Sequence, residues 1–164
     1  MSTLVAYFSY SGVTRRKAES LAKEFGANTF EIKAKIPYTS ADVNWQDDTS
    51  RNVKEYKDAA SRPEIEAMPD LSGVDKVYIG APVWWGDWPM ICYTYFEAND
   101  FSGKTLIPFS THEGSGLSGF DTKLSGAAPG ADVKAGLAIR GQDAQNKQSD
   151  VRADVKEWLA GLGF

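Results

Sequence analysis

The chain predicts an α/β domain: a parallel, doubly wound sheet with helices on both faces. Two observations carry that reading. Runs of five to seven mostly apolar residues alternate with helix-period segments along the chain. The runs are apolar throughout rather than alternating, as strands buried on both faces are. In such sheets a ligand sits beyond the carboxyl ends of the strands, at the switch point.

The elements follow in order. Leu4–Phe8 is a short apolar strand. Thr14 to Phe25 is a helix with Ala18, Leu21, Ala22 and Phe25 at helical spacing and Gly26 as its stop. Thr29–Lys33 is the second strand. Residues 34–72 are less regular, although Asp47, Asp48 and Thr49 are suited to cap a helix carrying Val53, Tyr56 and Ala60, ended by Pro63. Lys76–Ala81 is a strand closed by Pro82, and Pro89 to Phe96 a helix with proline at its favoured first position. Thr105–Phe109, a short helix over Ser118–Leu124 and a fifth strand, Val133–Ile139, come next. Val151–Leu162 closes the chain as an amphipathic helix.

Length and composition narrow the function. The 164 residues suit one domain, residues 1–164, and 42% hydrophobic content with five Trp excludes a disordered chain. A net charge of −4 with the signs interspersed offers no basic stripe for nucleic acid and no polybasic helix for a membrane surface. The apolar runs are strand-sized, too short to span a bilayer. Met1-Ser2-Thr3 shows no export signal, and a single cysteine, Cys92, excludes a disulfide framework, so a cytoplasmic protein is expected. One histidine and one cysteine leave a metal site without support.

Three strand-leaving loops are unusual in composition. The first, Ser9-Tyr10-Ser11-Gly12-Val13-Thr14, delivers hydroxyls and one glycine to a helix N-terminus, where unpaired N–H groups and the positive dipole end face outward. It suits a phosphate. It is neither a Walker loop nor a dinucleotide fingerprint. Its neutrality favours a resident phosphate monoester over phosphoryl transfer, while Ser11 or Thr14 would serve equally as a helix cap. Arg15 and Arg16 read as solvated helix surface.

The second loop, Pro82-Val83-Trp84-Trp85-Gly86-Asp87-Trp88-Pro89, holds three tryptophans. They either pack as a satellite core or line a flat aromatic pocket. Gly86 permits backbone conformations other residues resist, so a peptide there can turn over at little cost. The third loop, Thr111-His112-Glu113-Gly114-Ser115-Gly116, lets backbone amides approach a ligand closely, and His112 either donates to that ligand or closes a local hydrogen bond. No nucleophile elbow surrounds Ser115, which argues against a serine hydrolase. Cys92, three residues into its helix, reads as a buried hydrophobe. Residues 38–48, with Tyr38 and Trp45, form either a lid or a surface excursion.

Taken together, the loops resemble those of flavodoxin-like flavoproteins, from Thr3 to the end of the chain. The likeness is to a branch whose second loop reads Pro-x-Trp-Trp-Gly and whose third reads Thr-His-x-Gly-Ser-Gly; the first loop fits Ser/Thr-x-Ser/Thr-Gly-x-Thr. The resemblance implies a five-stranded parallel sheet in the order 2-1-3-4-5 with FMN at its edge, the arrangement for which flavodoxin is itself the standard example. It implies that Ser9, Ser11, Gly12, Val13 and Thr14 hold the FMN phosphate. Pro82, Val83, Trp84, Trp85 and Gly86 would contact the ribityl chain and one side of the ring. Thr111, His112, Glu113, Gly114, Ser115 and Gly116 would wrap its pyrimidine end. Val13 stands where relatives often carry Asn, which leaves only its backbone N–H to contribute. Asp87 and Glu113, if they face the ring, would lower its potential.

Two functions fit this resemblance. One is an electron carrier between redox partner proteins; the alternative is an FMN-dependent NAD(P)H oxidoreductase that reduces quinones or similar small acceptors. The mild charge gives little electrostatic steering toward a basic partner. A monomer or weak homodimer is expected.

Overall fold

Side-chain alternation along the central strands divides the apolar residues between two sheet faces. The computed structural model describes residues 2–140, 157, 158 and 160–162. Its elements are β1 (Ser2–Tyr7), α1 (Val13–Phe25), β2 (Asn28–Glu31), α2 (Arg51–Lys57), β3 (Val74–Pro82), α3 (Met90–Ala98), β4 (Thr105–His112), α4 (Phe120–Ala127), β5 (Asp132–Val133) and β6 (Leu137–Arg140). The sheet runs β2-β1-β3-β4-β5, and β6 also pairs with β4. All these pairings are parallel.

Register places Leu4, Val77 and Leu106 in one row across the sheet, on the face covered by α3 and α4 through Ile91, Tyr95, Phe120 and Leu124. The next row, Val5, Tyr78 and Ile107, faces the other way onto Ala18, Leu21 and Ala22 of α1 and onto Trp158. Each large apolar side chain fully buried this way contributes roughly 1.5–3 kcal/mol. Two rows further, on the same face, Gly80 lies opposite Phe109. A Cβ on Gly80 would fall 2.0 Å from the Phe109 ring, so this glycine exists to admit the aromatic ring.

The expected fifth strand is divided. It pairs as Asp132–Val133 and again as Leu137–Arg140, and three residues bulge between them where two of β4 intervene. The cause lies in β4. Lys134 N–H donates to Leu106 O, so Leu106 and, two residues on, Pro108 turn their backbone groups toward this edge. Pro108 has no N–H to offer there. Trp158 takes up one carbonyl of the bulge, its Nε1–H donating to Ala135 O at 2.9 Å.

Helix starts also differ from expectation. Gly12, at φ +92°, caps α1 without any side-chain cap, so neither Ser11 nor Thr14 is its cap. Pro89 is the cap of α3 rather than its first residue, because its ψ of 141° is extended. The helix in the irregular stretch begins after Ser50 and ends at Asp58, well before Pro63. The helix over residues 118–124 is displaced to Phe120–Ala127, since Gly119 holds a left-handed conformation at its start. Most of the expected last helix and residues 141–150 lie outside the described residues. Among the described residues, no helix is long and apolar enough to cross a membrane.

Candidate functional site

The loops after β1, β3 and β4 come together at one edge because their strands are adjacent in the sheet. Ser9 Oγ accepts the Gly12 N–H at 3.1 Å, which folds the first loop back on itself and starts α1. Helix geometry leaves the first N–H groups of α1 without intrahelical acceptors, and no side chain caps them. Ser11 is exposed, while Thr14 is 2% exposed and turned inward. Its Oγ1 lies 2.7 Å from Thr111 Oγ1. Arg15 pairs with Glu31 on the surface, the solvated role expected of it.

The second loop is a tight turn. Trp84 and Asp87 exchange backbone hydrogen bonds of 3.0 and 3.1 Å, with Trp85 and Gly86 between them at φ +58° and +70°. Positive φ at both central residues is the type I′ signature. Gly86 adopts it freely, whereas Trp85 is held there against its preference. The tryptophans divide between the two roles left open by sequence. Trp88 is 1% exposed, stacked on Phe120 at 3.8 Å with its Nε1–H donating to Phe120 O, and belongs to the core. Trp84 packs edge-on against Phe8 and Tyr38. Trp85 stacks on Tyr56 at 5.1 Å and donates to Asn52 Oδ1 at 3.4 Å. Val43, Trp45, Asn52, Val83, Trp84 and Trp85 enclose a cleft of about 360 Å³.

In the third loop, β4 continues through His112, so Thr111 and His112 are strand residues and only 113–116 form the loop. Ser110 Oγ donates to Gly116 O at 2.9 Å and closes it. His112 Nδ1 accepts the Gly114 N–H at 3.0 Å. A neutral imidazole that accepts at Nδ1 carries its proton on Nε2, so His112 presents a donor. Glu113 and Ser115 are exposed.

Comparison with known proteins gives the family: the flavodoxin family model matches residues 2–160. The chain belongs to the flavodoxin family. Among solved structures, it is 34% identical to a protein from Bacteroides eggerthii described as a flavoprotein, covering 96% of this chain and 98% of the other at TM-score 0.85. A second such protein, from Bacteroides uniformis, is 36% identical over 92% and 97% of the two chains, at TM-score 0.83. A Lactobacillus acidophilus flavoprotein solved with FMN shares the fold at 22% identity and TM-score 0.67, over 96% and 97% of the chains. No curated protein matches significantly.

In this flavodoxin-family chain, Asp87 is engaged by its own loop, by α3 and by α4. Its Oδ1 accepts from Trp88 N–H at 2.7 Å and Tyr93 Oη–H at 2.6 Å and lies 3.5 Å from Lys123 Nζ. The potential-lowering effect of Asp87 and Glu113 is conditional on their facing a ring, and Oδ1 of Asp87 is engaged by these donors instead. Burial and the neighbouring Asp87 carboxylate both push the Tyr93 hydroxyl pKa up, which keeps it a donor. Cys92 is fully buried and its thiol pKa is raised by that burial, as befits a core residue.

The segment after β2 is tethered rather than loose. Tyr38 Oη–H donates to Glu55 at 2.7 Å, and Arg51 lies over the Tyr38 ring at 3.8 Å. Trp45 stays 64% exposed at the mouth of the cleft. Sequence reasoning singled out neither Asn52 nor Lys123. Asn52 sits in the first turn of a short helix, and only the three-dimensional approach of α2 to Trp85 brings it to the cleft. Lys123 donates to Gly86 O at 2.8 Å and Ser118 O at 3.2 Å, yet in sequence it is one more surface lysine.

Proposed function

We propose that the protein is an FMN-binding redox protein of the flavodoxin family whose acceptor is a flat small molecule such as a quinone. The residues fit the cofactor. The start of α1, uncapped by any side chain and preceded by a loop without charged residues, supplies backbone donors for a phosphate, with Ser9, Ser11, Gly12, Val13 and Thr14 around it. Pro82, Val83, Trp84, Trp85 and Gly86 form one wall for the ribityl chain and ring. Thr111, His112, Glu113, Gly114, Ser115 and Gly116 form the other, and His112 Nε2–H is available to a ring oxygen. When bound, the flavin supplies the electron and hydride chemistry, and the protein positions and tunes it.

The observation that carries the acceptor reading is the cleft of about 360 Å³ in which Trp45 and the Asn52 amide join the Val83, Trp84 and Trp85 wall proposed for the ring, so that an acceptor there would lie beside the flavin. Trp85 Nε1–H occupies the Asn52 oxygen, which leaves the Asn52 NH₂ to donate to a carbonyl. Aromatic walls with one placed donor suit a planar carbonyl compound better than a protein surface. A net charge of −4 supplies little steering toward a basic partner.

The second reading, a carrier between redox proteins, is supported by the same exposed rim of Trp45, Tyr56 and Trp85. Steady-state NAD(P)H oxidation by the FMN-loaded protein with a naphthoquinone, and no added reductase, separates the two. Sustained turnover supports the oxidoreductase. Turnover only after a reductase is added supports the carrier.

A further inference from the structure

Two non-glycine residues among those described have left-handed backbones, Trp85 at φ +58° and Ser118 at φ +54°. One lies in the turn after β3 and the other between the third loop and α4. A single side chain joins the two turns. Lys123 Nζ, from the first half of α4, lies 2.8 Å from Gly86 O and 3.2 Å from Ser118 O, with Asp87 Oδ1 at 3.5 Å as its counter-charge. An ammonium has three hydrogens, and here three acceptors converge on it. The Gly86–Asp87 peptide is thereby fixed at both ends, since its N–H also donates to Trp84 O at 3.1 Å. A left-handed L-residue persists only where its surroundings enforce it. Ser118 is also held by its Oγ–H donating to Ser115 O, and Trp85 by Asn52 and Tyr56, but Lys123 is the contact these two turns share.

We infer that Lys123 is a positioning residue: it latches the second loop to the end of the third and holds both strained turns in the conformation that receives the ring. This rests on the FMN reading above. The latch itself is a property of the apoprotein. It acts through the Gly86 and Ser118 carbonyls and requires no contact between Lys123 and the ligand. Because the lysine is one-third exposed, its removal should leave the fold intact.

The test compares wild type, Lys123→Met, Lys123→Arg, and Lys123→Met combined with Ser118→Gly. In the apoprotein, Lys123→Met should speed exchange of the Asp87 amide, whose N–H donates to Trp84 O, while the melting temperature changes little. FMN affinity should fall on the order of tenfold, the scale of lost charge-assisted hydrogen bonds. Lys123→Arg should recover part of it. Ser118→Gly should also recover part, because glycine takes the left-handed turn without enforcement. A lysine acting only as a positive charge predicts no rescue by glycine, and that result would overturn the latch. Unchanged exchange and affinity in Lys123→Met would overturn it as well. A wild-type protein that fails to bind FMN contradicts the cofactor reading instead, and the exchange data still decide the latch.

Discussion

Thr14 Oγ1 and Thr111 Oγ1 lie 2.7 Å apart in a buried contact that spans 97 residues of sequence. It ties the start of α1, where a phosphate would sit, to the end of β4, where the third loop begins. One hydroxyl donates and the other accepts. Whichever donates, the strand residue sets the orientation of the loop residue.

Replacing either threonine by valine should therefore destabilise the protein by about 1–3 kcal/mol, because the remaining hydroxyl is left buried without a partner. The double variant should recover much of that loss. Denaturant titration of the four proteins measures the coupling; strictly additive losses would show that the two hydroxyls do not depend on one another. Thr14→Ala should also weaken FMN binding by roughly 1–2 kcal/mol.

Gly80→Ala should be among the more damaging substitutions in the sheet. The added methyl collides with the Phe109 ring, which is itself fully buried. Overpacking of this kind costs typically about 1–3 kcal/mol and occasionally more. An alanine variant with wild-type stability would mean that the ring can move aside.

Alkaline pH should unfold the protein through its buried phenols. Burial raises the Tyr78 pKa from 10.0 to about 12 and pushes Tyr38, Tyr93 and Tyr95 upward as well. Folded values above the unfolded ones mean that this stability is fully present below pH 10 and is lost as pH rises from 10 toward 12. Tyrosinate absorbance from these residues should rise together with loss of the circular dichroism signal. Their ionisation in a still-folded protein below pH 10 would contradict the burial account.

Cys92 should be inert to a thiol-specific disulfide reagent in the native protein and react fully on denaturation. Its side chain is fully buried and its thiol is disfavoured as an anion. Rapid native reaction would place the start of α3 at the surface.

Much of this architecture was legible in sequence because burial on two faces writes itself as short apolar runs. The strands around Val5, Tyr78 and Ile107 were found that way, and strand order followed from the family resemblance. Other features depended on contacts that local pattern does not carry. Pro108 broke the fifth strand from the neighbouring one, through an N–H it lacks. Trp84, Trp85 and Trp88 look alike in sequence, but register and α4 decide that Trp88 stacks on Phe120 while Trp85 lines a cleft. Sequence leaves open where the Asp87 carboxylate points, and Tyr93 and Lys123 hold its Oδ1 through contacts that no local pattern encodes. Lys123 itself had no sequence signal, because its role consists of two backbone carbonyls on separate loops.

The central claim is that the three loops together hold FMN. Equilibrium titration of FMN into flavin-free protein, followed by flavin and tryptophan fluorescence, tests it most directly. The account predicts tight one-to-one binding with strong quenching of both signals, weakened by substitution at Thr14 and at Trp84 or Trp85. Absence of saturable binding by correctly folded protein would contradict it.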